Sequence, residues 1–466
     1  MTEGYDVVVI GAGPAGYVAA IRCAQLGLKT ACIDKRMELG GTCLNVGCIP
    51  SKTLLYATEL LYKTRKDGAA LGLNASSLTY DFPQMMQRKR EVIASLNAGI
   101  KGLFKKNKVV HITGSASFLS AHTLSVSQGA ISQTITARYV IIATGSEPTP
   151  LPFLPFDERR IVSSTGALQL DRVPDKLVVV GAGVIGVELG SVYARLGSKV
   201  TFVEFVDRVC STLDRDISKA FQDILVKQGM EFHLSCKVKS IDLSDKAARV
   251  HVEKADSSLF TLDADIVLVA VGRRPFTQGL GLDKVGIDLS PRGLVPVDDG
   301  FRTKVPHIYA VGDSIEGPML AHKASEEGAC VAESIAGVVS SIDYISIPSI
   351  VYAHPEIASV GLSEEEAQNK GFSVQVGTYF FKGNPRGKCM LEEDGFVKVI
   401  ADSVTDKLLG VHILGAHASE MITVAGFAME KRMTSLDLGS LCFPHPTLSE
   451  AIKEAALSIH KKAIHK

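Results

Sequence analysis

Tryptophan is absent from the 466 residues, and aromatic residues amount to only 6%. Broad aromatic platforms of the kind that stack on sugar rings are therefore not expected. An excess of either charge is missing as well, since fifty basic residues face fifty acidic ones. With no global field, neither nucleic acid nor an acidic membrane surface is an expected partner. Apolar runs are short or cut by glycine and charge, so no membrane span is expected. Cysteine is sparse at nine, too thin for a secreted disulfide framework. A strand-like run, Tyr5–Ile10, already occupies the position where a secretory or transit peptide would lie. These absences read as a soluble cytoplasmic protein, with the mitochondrial matrix as the alternative if a transit peptide has been removed.

Much is also present. At 46% hydrophobic content the chain has ample material for burial. Its length corresponds to roughly three domains at about 150 residues each. "YDVVVIGAGPAGYVAAIRCAQLGLKTACIDKR" (Tyr5–Arg36) is an apolar run, a glycine turn, an alanine-rich helical pattern and a second apolar run ending in Asp34. That is a βαβ unit with a dinucleotide fingerprint. Gly11 permits the tight turn, Gly13 lets backbone approach a pyrophosphate, and Gly16 lets helix pack on strand. The helix N-terminus offers N–H groups to the phosphates, and Asp34 is placed for a ribose hydroxyl.

The same unit recurs at 176–204 with Gly181, Gly183, Gly186 and Glu204. From first glycine to acid is 23 residues in both copies. One GxGxxG is a weak signal, but two copies with their acids in register are not. Two dinucleotides are expected. Glu204 accepts the 2′-hydroxyl of NAD and repels the 2′-phosphate of NADP, which reads as NAD. Arg208 is either a partner for such a phosphate or a solvated charge beside Asp207. "YVIIATGSEP" and "IVLVAVGRRP" echo one another as strands ending in glycine turns. "IYAVGDS" delivers Asp313 to a strand end, where it is either a cofactor ligand or a turn residue.

"GGTCLNVGCIPSK" (residues 40–52) places Cys43 and Cys48 five residues apart. Five helical residues rise about 7.5 Å, beyond the roughly 7 Å a disulfide tolerates between Cα atoms. The two thiols can therefore meet only if the segment bends, and Asn45 and Gly47 between them allow it. No second cysteine pair follows to complete a zinc site, and no metal is expected. Two inert buried thiols remain one reading. A thiol pair nine residues past Asp34, at the mouth of a dinucleotide site, favours dithiol–disulfide exchange coupled to electron transfer. The other seven cysteines (Cys23, Cys32, Cys210, Cys236, Cys330, Cys389, Cys442) show no paired spacing and read as packing thiols.

Gly11–Gly16, "GGTCLNVGCIPSK", "ATGSEP", "GAGVIGVELG", "VGRRP", "AVGDS", "MLAH" and "HPTLSE" run from the N-terminus to residue 450. In these motifs the chain resembles the FAD-dependent pyridine nucleotide-disulfide oxidoreductases. The resemblance implies an α/β fold of two Rossmann-like dinucleotide-binding domains, for FAD and NAD, plus a C-terminal α+β dimerisation domain. It implies an FAD-binding domain at 1–149 and an NAD-binding domain at 150–271. A central segment at 272–347 completes the FAD site, and an interface domain follows at 348–466.

By the same resemblance Cys43 and Cys48 form a redox-active disulfide, Cys48 facing the flavin and Cys43 meeting substrate. Lys52 sits near the flavin ring, paired with Glu188. Taken alone, Lys52 reads as a surface residue and Glu188 as an ordinary helix residue. The FAD is lined by Gly11, Gly13, Gly16, Asp34, Gly41, Thr42, Lys52, Gly114, Thr144, Gly145, Ser146, Asp313, Met319, Leu320, Ala321 and His322. The NAD is lined by Gly181, Gly183, Val184, Ile185, Gly186, Glu188, Glu204, Val238 and Gly272. One departure is Asp34, where the family commonly has Glu.

Thiolate, not thiol, carries out exchange, so a base is needed near Cys43. "CFPHPTLSEA" supplies His445, flanked by prolines, with Glu450 to hold its tautomer. Thr447 to Glu450 also reads as a capping box opening the next helix, and Glu450 can serve both purposes. The resemblance implies that His445 acts across a homodimer interface, so that each active site is shared between subunits. The terminal "HKKAIHK" lacks the cysteine pair of mercuric and large thioredoxin reductases. Ser51 and Glu204 differ from the glutathione-reducing branch. What remains is the branch that oxidises dihydrolipoyl groups with NAD. Its partners are lipoyl domains and E2 or H-protein subunits of 2-oxo acid dehydrogenase or glycine cleavage complexes. Reduction of another small disulfide by NAD(P)H is the second reading, and a flavin-binding redox sensor without turnover the third.

Overall fold

A computed structural model describes residues 3–74, 77–244 and 247–466. Two compact units are present, each assembled from three stretches of chain. The first comprises Met1–Thr53, Gln84–Thr149 and Gly272–Ile342, and the second Leu54–Pro83, Pro150–Val271 and Asp343–Lys466.

The first unit is built on the strand Glu3–Ile10, which pairs in parallel with Thr30–Asp34 on one side and with Ile131–Ile142 on the other. Val110–Thr113 extends the sheet beyond Thr30–Asp34, and Ile308–Ala310 pairs in parallel with the end of Ile131–Ile142. Val7, Val8 and Val9 are fully buried, as continuous apolar runs are in parallel sheets covered on both faces. The helix Pro14–Gln25 packs against Ala321–Ile335 through small residues. A Cβ on Gly328 would fall 2.3 Å from the Ala15 carbonyl oxygen, so only glycine allows this approach. The two echoing motifs meet directly, because Ser146–Pro148 pairs antiparallel with Arg273–Pro275.

The second unit holds a second parallel sheet, ordered Glu231–His233, Lys199–Val203, Lys176–Val180, Ile266–Val269, Ile161–Val162. A three-stranded antiparallel sheet follows, from Cys236 to Ala264. The third sheet is five-stranded and antiparallel, with the wholly buried Leu408–Gly415 at its centre. Helices Ala418–Glu430 and Glu450–Ile459 pack on it through Ile422, Ala425, Ala451, Ile452 and Ala455. Among the described residues no helix is long and apolar enough to cross a membrane.

Candidate active site

The two glycine turns fold alike, and each glycine has a distinct physical reason. Gly11 and Gly181 take positive φ of 104° and 100°. A Cβ on Gly16 would lie 1.8 Å from the Gly11 carbonyl oxygen, and one on Gly186 would lie 2.2 Å from that of Gly181. These third glycines permit helix to touch turn. Gly183 has nothing within 4 Å of where its Cβ would stand, and Gly13 has only the Gly41 Cα at 4.0 Å. The middle glycines thus border open space at a helix N-terminus, the arrangement that admits a pyrophosphate. The first turns of these helices carry no acidic residue, and Val184 and Ile185 open the second one.

Each acid at the end of the second strand holds its own turn. Asp34 accepts from the Ala12 N–H at 2.7 Å and the Arg36 N–H at 2.8 Å. Glu204 accepts from the Ala182 N–H at 2.6 Å and the Val206 N–H at 3.0 Å. The shorter Asp34 makes the same pair of contacts as Glu204. Every carboxylate oxygen so engaged keeps a lone pair for a ribose hydroxyl.

The thiol segment bends where glycine permits. The helix Gly41–Val46 ends at Gly47, and a new helix, Cys48–Asp67, begins with the second cysteine. A Cβ on Gly47 would meet the Thr42 carbonyl oxygen at 2.9 Å and the Cys43 Cα at 3.3 Å, so the chain folds back onto Cys43 there. Cys43 and Cys48 are both half-buried free thiols, hydrogen-bonded to one another. That bond, followed by burial, pushes the Cys43 thiol far above its ordinary range, and Lys52 opposes the rise. Cys48 opens a helix, whose dipole favours negative charge at that sulfur. Tyr17 flanks the pair: burial first, and then Cys43, raises its hydroxyl. The segment begins on the first glycine turn, where Gly41 at φ 59° would set a Cβ 2.5 Å from the Gly13 Cα. Asn45 ties it down by donating to the Leu39 and Gly41 carbonyls.

Asp313 follows the strand Ile308–Ala310 and accepts from the Ser146 hydroxyl at 2.5 Å. Arg273, which the sequence reading did not single out within "VGRRP", donates to Ser146 Oγ at 2.8 Å and to its carbonyl at 2.7 Å. Burial lowers the Arg273 pKa, while Asp313, Cys48 and Glu147 work against that shift. The neighbouring Thr144 hydroxyl is buried without a protein partner, an orphan that a bound polar group would satisfy. Gly145, at φ 70°, accepts from the Phe276 N–H. Gly114 donates its N–H to the Asp34 carbonyl at 2.8 Å.

A fully buried ion pair, Lys323 with Glu327 at 2.8 Å, holds the residue before Asp313. The Gly312 N–H donates to Glu327 at 2.7 Å and its carbonyl accepts from Lys323 at 3.2 Å. Met319 and Leu320 lead into the helix that starts at Ala321 and His322, so its N-terminus lies beside this clamp. An orphaned hydroxyl, an open glycine turn and a helix N-terminus together fit an anionic dinucleotide in the first unit.

In the second unit His445 Nδ1 stands 3.0 Å from Glu450 Oε1, with the imidazole well exposed. Glu450 Oε2 accepts from the Thr447 N–H at 2.8 Å. Only half of the expected capping box forms, because the Thr447 hydroxyl donates to the Pro444 carbonyl instead and the helix starts at Glu450. Burial alone raises the Glu450 carboxyl, but the Thr447 N–H and His445 outweigh it and hold it below the usual range. Glu188 is buried in the second glycine helix and accepts from the Tyr352 N–H at 2.9 Å. Val238 is buried at a bulge in the three-stranded sheet. Cys43, Cys48, Lys52 and Gly272 belong to the first unit, and Glu188, His445 and Glu450 to the second. Of the remaining cysteines, five are buried as packing thiols, but Cys389 and Cys442 are exposed and are not.

Residues 5–328 match the family model described as pyridine nucleotide-disulphide oxidoreductase, and 347–456 match the dimerisation domain of the same family. A mitochondrial dihydrolipoyl dehydrogenase of Caenorhabditis elegans is 51% identical, over 98% of this chain and 93% of its own length. A dihydrolipoyl dehydrogenase of Trypanosoma brucei brucei is 48% identical, over 99% of this chain and 98% of its own. Among solved structures, the HOCl-induced flavoprotein disulfide reductase RclA of Escherichia coli superposes with a TM-score of 0.86. It is 30% identical and covers 97% of this chain and 99% of its own.

Proposed function

The chain belongs to the pyridine nucleotide-disulphide oxidoreductases, and on that premise we propose that it is a dihydrolipoyl dehydrogenase that passes electrons from dihydrolipoyl groups to NAD. The observation that carries the reading is the Cys43–Cys48 pair, folded together at Gly47 on the rim of a dinucleotide turn. Whole-length likeness to curated enzymes of that name supports the substrate. FAD and NAD are the cofactors, and the enzyme is a homodimer.

Gly11, Gly13, Gly16, Asp34, Thr144, Ser146 and Asp313 would hold FAD, and Gly181, Gly183, Gly186 and Glu204 would hold NAD. Bound FAD supplies the two-electron relay between the thiol pair and NAD. The oxidised enzyme carries a Cys43–Cys48 disulfide. A substrate thiolate attacks Cys43 Sγ, which forms one S–S bond, breaks the Cys43–Cys48 bond and leaves Cys48 as thiolate. The second substrate thiol then closes the lipoyl ring and releases Cys43. His445 of the partner subunit takes the proton the substrate thiol must lose, and Glu450 steadies the resulting imidazolium. The hydrogen bond between the two thiols and the upward push on Cys43 fit this order. Lys52, with Glu188 as its proposed partner, adds positive charge beside the thiols. Net, a dithiol and NAD give a cyclic disulfide, NADH and a proton.

The dihydrolipoyl group is tethered to a lipoyl domain of an E2 or H-protein subunit in a 2-oxo acid dehydrogenase or glycine cleavage complex. The mitochondrial name of the nematode relative supports the matrix over the cytoplasm; fractionation of the source cells tests this.

Absorbance of NADH after mixing protein with dihydrolipoamide and either NAD or NADP tests the activity, with glutathione disulfide and NADPH run in parallel. Fast NAD reduction with weak NADP reduction is expected. Turnover in the glutathione reaction alone would overturn both substrate and nucleotide.

A further inference from the structure

Arg208 lies on the turn between Glu204 and Cys210, and both ends of that turn are tied to Ala182 of the second glycine turn. Ala182 donates its N–H to Glu204 at 2.6 Å and accepts from the Cys210 N–H at 2.9 Å. Between these ties the Val206 carbonyl accepts from the Ser235 N–H at 2.9 Å. Arg208 is the one cation on this turn. An arginine beside the ribose-binding acid is what a 2′-phosphate needs.

Here that arginine is already engaged. Its guanidinium donates to Glu365 Oε2 at 2.9 Å, and the other oxygen of Glu365 accepts from Arg215 Nε at 3.0 Å. Arg208 is 24% exposed, so it is held at the surface rather than waving freely. Glu365 is equally fixed. It lies on the short helix Glu364–Asn369, whose start is set by a reciprocal capping box between Ser363 and Glu366. The Glu364 N–H donates to Asp214 Oδ2 at 3.2 Å, and its carboxylate pairs with Lys398 at 2.8 Å. Lys398 and Asp214 are themselves buried together. Asp207 adds to the negative charge that Arg215 feels, after Glu365. Two arginines therefore meet two carboxylates, and Glu204 leaves the rim with a net negative charge.

We propose that Glu365 is a specificity-determining residue that favours NAD by occupying Arg208, the one group on this turn able to receive the 2′-phosphate of NADP. The inference rests on the NAD reading above. A 2′-phosphate brings close to two negative charges. It meets Glu204, and the one arginine of this turn is already engaged, so discrimination comes from a repelling acid and from an arginine withheld.

The test uses holoenzyme of wild type, Glu365→Gln, Arg208→Gln and the double variant. Binding of 2′,5′-ADP and of 5′-AMP is measured by calorimetry, and NADP and NAD reduction by dihydrolipoamide is followed in parallel. Glu365→Gln should raise 2′,5′-ADP affinity relative to 5′-AMP by about tenfold, the size of one charge-assisted hydrogen bond gained. That gain should vanish in the double variant and shrink at high salt. Arg208→Gln alone should leave the ratio unchanged. An unchanged ratio in Glu365→Gln, or a gain that survives loss of Arg208, would overturn the proposal. Should the Gln variant fail to fold, Glu365→Asp, too short to reach both arginines, gives the same reading. Failure of the premise shows separately, as a wild type that prefers NADP.

Discussion

Alanine placed at the middle and at the third glycine of each turn should have opposite consequences. At Gly183 the backbone is extended, with φ −75° and ψ −179°, and nothing lies within 4 Å of the new Cβ. Gly183→Ala therefore costs the empty protein nothing in contacts. It should even gain about 0.4–1 kcal/mol by restricting the unfolded chain. At Gly186 the new Cβ would stand 2.2 Å from the Gly181 carbonyl oxygen. That is roughly 1 Å inside contact distance, and overpacking of this kind costs about 1–3 kcal/mol or more. The nucleotide reverses the ranking, because the Gly183 methyl fills the space a pyrophosphate must enter. Gly183→Ala should keep its melting midpoint, retain bleaching of flavin absorbance by dihydrolipoamide, and lose NAD affinity at least about tenfold, or 1.4 kcal/mol. Gly186→Ala should melt several degrees lower, at about 2–4 °C per kcal/mol for a domain of this size. Gly13→Ala and Gly16→Ala should repeat the contrast for FAD retention. A Gly183→Ala protein that binds NAD like wild type would refute the argument.

Three further outcomes follow from the site. Cys48→Ser and Cys43→Ser should each abolish dihydrolipoamide oxidation, since neither leaves a disulfide to exchange; residual turnover above one part in a thousand would sink the thiol mechanism. Lys323→Met strands the buried Glu327 carboxylate and should cost about 3–5 kcal/mol with loss of FAD. Adding Glu327→Gln should recover most of it, because Gln still accepts from Gly312; thermal melts and flavin content report both. Glu450 is depressed in the folded state, so its stabilising contacts are present above the ordinary carboxylate pKa and are lost as pH falls through the depressed value. The melting difference between wild type and Glu450→Gln should be full above the ordinary carboxylate range and close as pH falls through the depressed value. A difference that instead closed near pH 7 would assign it to another group.

What could be read from the sequence was whatever repeats or sits within a few residues of its partner. The two glycine turns were legible because their spacing repeats and because the third glycine of each answers to the first, five residues away, as Gly16 does to Gly11. The break between the thiols was legible because a straight helix cannot join them, and Gly47 is where it occurs. The partners of Ser146 were not legible. Arg273 and Asp313 reach it from 127 and 167 residues away. The clamp on Gly312 was hidden for another reason: Lys323 and Glu327 look like an ordinary exposed i, i+4 pair until burial is known. Glu450 shows the limit of local rules. Its side chain reaches back to Thr447 as a capping box requires, yet the Thr447 hydroxyl turns to Pro444.

Arg208 makes the most instructive case, because both sequence readings of it were framed in terms of its neighbours on the turn. A solvated charge beside Asp207 and a ligand for phosphate differ only in what else is near, and sequence distance conceals that. The acid that decides the matter, Glu365, lies 157 residues further on. It is brought there by a helix pinned through Glu364 to Asp214, the residue that caps the helix carrying Arg215. One buried lysine, Lys398, holds Asp214, Asp216 and Glu364 together. Nucleotide choice in this protein therefore rests on two scales at once: an acid set by the period of a βαβ unit, and a second acid set by tertiary packing. The first predicts NAD from sequence alone. The second explains why an arginine four residues past Glu204 does not undo it.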